Sequence, residues 1–188
     1  AALLYFYEES CPRCKERWPE VQAVARKYAD KPIAFAAVNS GTPLPQVMQY
    51  VRSVQLAWPV IVDLDRSFEK ACDVGQISLK NIARVVYITP EGQLRPGSQR
   101  RLEETIEQAL QGANWHFEPS EIPAELRPAW RSVEFAQDAP AAKPLLKASG
   151  SRKADVKAAA RKLLKHVEQQ ADAALEAASM QTRMLLTV

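Results

Sequence analysis

The stretch Leu3-Leu4-Tyr5-Phe6-Tyr7-Glu8-Glu9-Ser10-Cys11-Pro12-Arg13-Cys14 constrains the fold of this chain more than any other. Its apolar, aromatic-rich opening reads as a buried strand. A short polar turn follows, and then Cys11 and Cys14 stand at the mouth of a helix-forming segment, Lys15 to Tyr28. A helix N-terminus carries unpaired N–H groups and partial positive charge, which favour a thiolate over a thiol. The Cys-x-x-Cys spacing lets one sulfur resolve a mixed disulfide formed by the other. Strand, CxxC and helix in that order predict a dithiol redox site. A zinc site needs more ligands: Cys72 is alone, and His116 and His166 lack ligand spacing, so no metal is expected. A structural disulfide is the other reading, although closing so short a loop restricts the unfolded chain little.

A chain of 188 residues has room for one ample domain, or for a smaller domain with an extension. The 25 basic and 22 acidic residues leave a net charge of +3, too small to argue for a nucleic-acid partner. The cysteines are too few for a disulfide scaffold; a pair plus a leftover is an active-site pattern. Cys72 reads as a small buried hydrophobe. No run is long enough for a transmembrane helix, and no signal peptide is recognisable. The chain opens on strand-like residues without a start methionine and reads as trimmed or processed, so the missing signal leaves export open.

Further along, Pro32 to Asn39 reads as a second buried strand, and Val47, Tyr50, Val51 and Val54 fall at helical spacing within Pro45 to Val54. Trp58 to Asp63 is strand-like, and Leu64-Asp65 turns into a helix over Ser67 to Cys72. Arg84 to Thr89 is the strongest β-branched run; Pro90-Glu91-Gly92 closes it, and Gln93 to Arg95 starts the return strand of a hairpin. Ser98 to Gly112 is an amphipathic helix with Leu102, Ile106, Ala109 and Leu110 on one face and Gly112 as its C-cap. This order predicts a mixed α/β sheet covered by helices on both faces.

From Asn114 prolines become frequent and β-branched runs vanish. Pro123 to Gln137 and Pro140 to Ala148 read as helices begun by proline, Ser149-Gly150-Ser151 as a turn. Arg152 to Ala178 reads as one long helix with Val156, Ala159, Ala160, Leu163, Leu164, Val167, Ala171, Ala174 and Leu175 in register. The face bearing Leu163, Leu164 and Val167 is expected to dock on the shorter helices. His166 is expected at a solvated surface. The organisation expected is a domain over 1–112, a linker over 113–122 and a helical extension over 123–188.

From Leu3 to about Leu110 the chain resembles thioredoxin-fold proteins of the TlpA/ResA and AhpC/TSA-like group. The resemblance rests on the strand into Cys11-Pro12-Arg13-Cys14, on Pro19 inside the first helix, and on Trp58-Pro59-Val60-Ile61-Val62-Asp63. It rests also on Glu69-Lys70-Ala71-Cys72-Asp73-Val74 and Val86-Tyr87-Ile88-Thr89-Pro90-Glu91-Gly92. It implies an α/β fold: a thioredoxin-like mixed sheet flanked by helices, here with an all-α C-terminal appendage. It implies Cys11 as nucleophile and Cys14 as resolving thiol, no cofactor, and protein thiols, disulfides or a reductant protein as partners. Such chemistry is often periplasmic or otherwise extracytoplasmic. Pro12, Arg13, Glu9, Trp58, Ile82 and Ala83 are the candidate supporting residues. Arg13 adds a positive charge that favours thiolate; Glu8 and Glu9 oppose it if they face the sulfur.

The chain departs from the group in three places. Glu8-Glu9-Ser10 replaces the usual tryptophan before the first cysteine, and Arg17 replaces an acidic residue after the second. The position of the family's cis-proline falls on Ala83, where a cis bond would cost about 2.5–4 kcal/mol, so a trans bond is expected. The leading expectation is a thiol–disulfide oxidoreductase. The alternatives are a thioredoxin-like interaction module and a thiol peroxidase, whose motif fails at Glu8 and Tyr7. Arg84 is near the position of a peroxidase arginine, but a surface arginine explains it as well. Trp18, Trp115 and Trp130 read as packing residues; Trp58 is the partial exception, because the resemblance implies that the segment before Pro59 lies near the redox site.

Overall fold

The computed structural model describes residues 1–136 and 138–186, with backbone alone at 138–139 and 177–186. The chain divides into two compact units, Ala1–Asn114 and Trp115–Val188.

The first unit is built on a five-stranded sheet of order β3-β2-β1-β4-β5. Its strands are β1 (Ala2–Tyr7), β2 (Ala34–Ser40), β3 (Val60–Asp63), β4 (Ala83–Ile88) and β5 (Leu94–Pro96). β1 pairs parallel with β2 and antiparallel with β4, so the mixed sheet expected is present. Helices α1 (Pro12–Lys27), α2 (Leu44–Ser53), α3 (Ser67–Ala71) and α4 (Leu102–Ala109) complete the unit. Because successive strand side chains alternate faces, Leu3, Tyr5 and Tyr7 enter one core with Trp18, Val21, Tyr50, Leu102 and Ile106. Leu4 and Phe6 enter another, with Val38, Cys72, Val74, Ile77 and Val86. Helices therefore cover both faces, as in a thioredoxin-like sheet.

Several boundaries differ from expectation for local reasons. α1 begins at Pro12 rather than Lys15, because proline suits the first helical turn. Pro19 stands inside the same helix and withholds an N–H from the backbone ladder. β2 starts after Pro32, whose carbonyl accepts from the N-terminal ammonium at 3.2 Å. α4 starts at Leu102 instead of Ser98, since Gly97 N–H is still tied to the sheet through Val85 O at 2.8 Å. It stops at Ala109; Gly112, the expected C-cap, lies beyond it in a left-handed turn. Gly92 takes φ +78° in the β4–β5 hairpin turn, a conformation that favours glycine.

The second unit holds α5 (Arg127–Glu134), α6 (Asp138–Ala148) and α7 (Ala154–Leu186), preceded by short 3-10 turns at Pro119–Glu121 and Ala124–Leu126. Only part of the segment from Pro123 is α-helical: Pro128 lacks a donor and tolerates only the first turn, so α5 starts at Arg127. Gln137, the expected end of that helix, lies outside the described residues. α6 begins at Asp138, ahead of Pro140. α7 runs beyond Ala178, no glycine or proline standing in its way. Leu163 is fully buried among Leu126, Trp130, Val133, Ala141 and Leu145, and Leu164 and Val167 pack against the same cluster. Phe117 and Ile122, in the stretch expected to be linker, are buried in that core too. Ala171, Ala174 and Leu175 depart from the expected buried register and are exposed. His166 is half-buried, its ring 4.0 Å from that of His116.

Leu163→Ala removes a fully buried side chain from this core. It is expected to destabilise the helical unit by about 2–5 kcal/mol. Urea denaturation followed by the fluorescence of Trp115 and Trp130 measures it.

Candidate active site

β1 ends at Tyr7, and the residues beyond it turn sharply into α1. The turn is locked by its own polar atoms: Ser10 N–H and Oγ donate to Glu8 Oε1 at 3.2 and 2.8 Å. Cys11 N–H donates to Glu8 O at 3.3 Å, and Glu8 N–H donates to Ile82 O at 3.0 Å. Cys11 is the N-cap of α1 with extended backbone, and its carbonyl accepts from Cys14 N–H at 3.1 Å and Lys15 N–H at 3.3 Å. The two thiols thus share the first turn of a 16-residue helix, where the backbone dipole favours negative sulfur.

Both thiols are buried, Cys11 at 6% and Cys14 at 5% exposure. Cys14 Sγ–H donates to the backbone carbonyl of Ile82 at 3.6 Å. Burial pushes the Cys14 thiol up to about 12; Cys11 adds in the same direction, and Arg17 opposes. Arg17 is close enough to act on Cys14, a cation where the resemblance would place an acid. All three cysteines are unbridged, and Cys72 is buried in the other core, at the C-cap of α3.

The remaining candidates lie as follows. Pro12 and Arg13 are exposed on the helix start. Glu9 carries the main polar contacts of the turn: Asn39 Nδ2 donates to Oε2 at 2.7 Å and Thr42 Oγ1 donates to Oε1 at 2.5 Å. Its carboxylate is thereby held by the end of β2. Ile82 supplies the carbonyl that receives both Glu8 N–H and the Cys14 thiol. Ala83 opens β4 opposite Tyr7, and no cis peptide bond occurs among the described residues, so the Ile82–Ala83 bond is trans as expected. Trp58 belongs to the core: its ring stacks on Phe35 at 5.3 Å and meets Trp18 and Tyr5 edge-on at 5.8 and 6.4 Å. Arg84 is exposed, its Nε donating to Asn81 Oδ1 at 2.6 Å.

Four residues with polar contacts at this end of the sheet were not among the candidate site residues: Asn39, Thr42, and Trp18 and Tyr50, which the sequence assigned to packing alone. Trp18 Nε1–H donates to Tyr50 Oη at 2.9 Å, and Tyr50 stacks on Tyr7 at 5.1 Å. Two signals for them were present in the chain. Asn39 is a polar residue closing an otherwise apolar strand, and Trp18 follows Cys14 by one helical turn.

The fold is that of a thioredoxin-like α/β protein with two thiols at the head of its first helix. Residues 1–96 match the AhpC/TSA family, and the chain belongs to it. No curated protein matches at a significant level. Among solved structures, a putative thioredoxin from Neisseria meningitidis is 25% identical, with TM-score 0.47 over 60% of this chain and 76% of that one. A secreted Mycobacterium tuberculosis disulfide oxidoreductase is 17% identical, with TM-score 0.45 over 57% and 80%. StoA from Bacillus subtilis is 18% identical, with TM-score 0.42 over 56% and 81%. No described helix is long and apolar enough to cross a membrane.

The position of Cys14 has a measurable consequence. With its folded value raised to about 12, the thiol stays protonated at neutral pH. The difference in absorbance at 240 nm between wild type and Cys14→Ser is expected to stay flat until the pH exceeds about 10. The sign for stability follows from proton linkage: the contribution is intact below the ordinary thiol value of 9.0 and is lost as pH rises through about 12.

Proposed function

We propose that this protein is a thiol–disulfide oxidoreductase working through Cys11 and Cys14. The observation that carries the reading is the placement of both thiols at the first turn of α1, with Cys14 against the Ile82 carbonyl. In the oxidised form a substrate thiolate attacks Cys11 Sγ, the Cys11–Cys14 bond breaks, and the electron pair passes to Cys14 Sγ. A second substrate thiolate then attacks the substrate sulfur of the mixed disulfide and releases Cys11. Two electrons move from two substrate thiols to the protein disulfide, and the protein leaves as a dithiol. The reverse sequence reduces a substrate disulfide.

Cys11 takes the attacking role because it sits at the N-cap, where the helix field is strongest. Burial keeps Cys14 protonated until it is called on to close the ring. Arg13 and Pro12 form the exposed lip of the site, and Glu9, clamped by Asn39 and Thr42, fixes the turn that carries Cys11. Protein thiols and disulfides are the partners this chemistry requires. A compartment outside the cytoplasm, where disulfides form and persist, suits it best.

Insulin reduction in the presence of dithiothreitol, run beside peroxide consumption, tests the proposal. The wild type is expected to accelerate insulin reduction. Cys11→Ser is expected to abolish the acceleration, and Cys14→Ser to trap a mixed disulfide on Cys11, visible by mass. Peroxide consumption faster than insulin reduction would favour a thiol peroxidase. Inactivity in both assays would favour an interaction module.

A further inference from the structure

Helix α7 carries charge in two blocks. Lys157, Arg161 and Lys165 stand four apart, and Glu168, Asp172 and Glu176 follow, again four apart. At 3.6 residues per turn the six fall within an arc of about 100° and form one stripe along the helix. Val156, Ala160 and Leu163, buried in the core of the second unit, lie on another face. Lys157 is half-buried, and the rest of the stripe is exposed. None of the six makes an ion pair among the described residues. Lys153 and Lys162, outside the stripe, are by contrast paired with Glu125 and Glu121. Within one helix this order is unfavourable, because like charges four apart repel. The one junction of unlike charge, Lys165 to Glu168, has the base first, the weaker order.

We propose that two copies of this chain associate by antiparallel packing of α7, the charged stripe of each meeting the same stripe of the other. The spacing is self-complementary. With a twofold axis passing between His166 and Val167, Lys157 faces the second copy's Glu176, Arg161 faces its Asp172 and Lys165 faces its Glu168. The symmetry makes every pair twice. Residues four apart also form the ridges through which two helices interlock at a crossing of about 50°. Every residue from Ala171 to Glu176 is exposed, so the chain's own core leaves this stretch of α7 open. Leu175, 67% exposed, stands at the edge of the stripe and is covered with it. An isolated surface ion pair contributes little, so the association rests on the pairs acting as one network. The pairing lies in the second unit and is independent of the chemistry at Cys11 and Cys14.

Sedimentation equilibrium of the full chain tests the pairing. A dimer is expected in about 0.01 M salt, where charges act over about 30 Å. In about 1 M salt, where they act over about 3 Å, the dissociation constant is expected to rise by at least about tenfold. Arg161→Glu sets acid against acid on both sides of the axis, and Asp172→Arg sets base against base. Each variant alone is therefore expected to be a monomer. An equimolar mixture of the two restores opposite charges at both positions, and a heterodimer is expected from it. Circular dichroism checks that each variant keeps its helix content. If a variant does not fold, the salt series of the wild type decides, and a dimer indifferent to salt overturns the inference. A dimer that survives either single substitution, or a mixture of folded variants that stays monomeric, overturns it too. So does a wild type that is monomeric in low salt, which would leave the stripe to a different protein.

Discussion

The site depends on the double pairing of β1. The strand is bonded along one edge to β2 and along the other to β4, from Ala2 through its last residues. Both of its faces are buried, with Leu3, Tyr5 and Tyr7 in one core and Leu4 and Phe6 in the other. Each such side chain contributes about 1.5–3 kcal/mol on burial. A one-residue slip would exchange the faces and lose all of these contacts at once. The strand end therefore lies at a fixed position in the sheet, and the Glu8–Cys11 turn that follows it delivers the thiols to the start of α1.

That dependence explains why so much of the first unit was legible. The aromatic run, the cysteine pair and the β-branched run Arg84 to Thr89 are strong local signals, and each coincides with the element it suggested to within one residue. The errors at element ends have a common origin. Pro12 extends α1 because it suits the first helical turn, Pro32 and Pro128 lack a donor for ladder or helix, and Gly97 delays α4 because its N–H is still engaged by Val85. Long-range backbone bonds of that kind leave no trace in hydrophobic periodicity.

The polar part of the site was less legible, because its bonds join residues distant in sequence. Glu9 is anchored by Asn39 and Thr42, about thirty positions away, and Cys14 finds its acceptor at Ile82. Asn39 is fully buried; Nδ2 serves Glu9, while Oδ1 has no partner among the described residues. Periodicity had assigned Tyr50 only to an apolar helix face, and it is indeed buried there. What a pattern of hydrophobic residues cannot show is that its phenol meets an indole N–H from another helix. Trp58, by contrast, stands out in the sequence and turns out to pack among Phe35, Tyr5 and Trp18.

The chemistry at Cys14 is a contest between burial and the groups that accept its charge. Burial dominates and keeps the sulfur neutral in the resting dithiol; the helix N-terminus and Arg17 pull the other way without overcoming it. A thiol held neutral is a weak nucleophile and a poor leaving group, so exchange on such a site needs charge stabilisation that appears only as the bond is made or broken. A formal charge beside the sulfur would act on the resting dithiol as well and would reset the equilibrium. Trp18, one helical turn beyond Cys14, is hydrogen-bonded to Tyr50 within the core, so the helix that carries the thiols is held by side chains that also fill the sheet's apolar face.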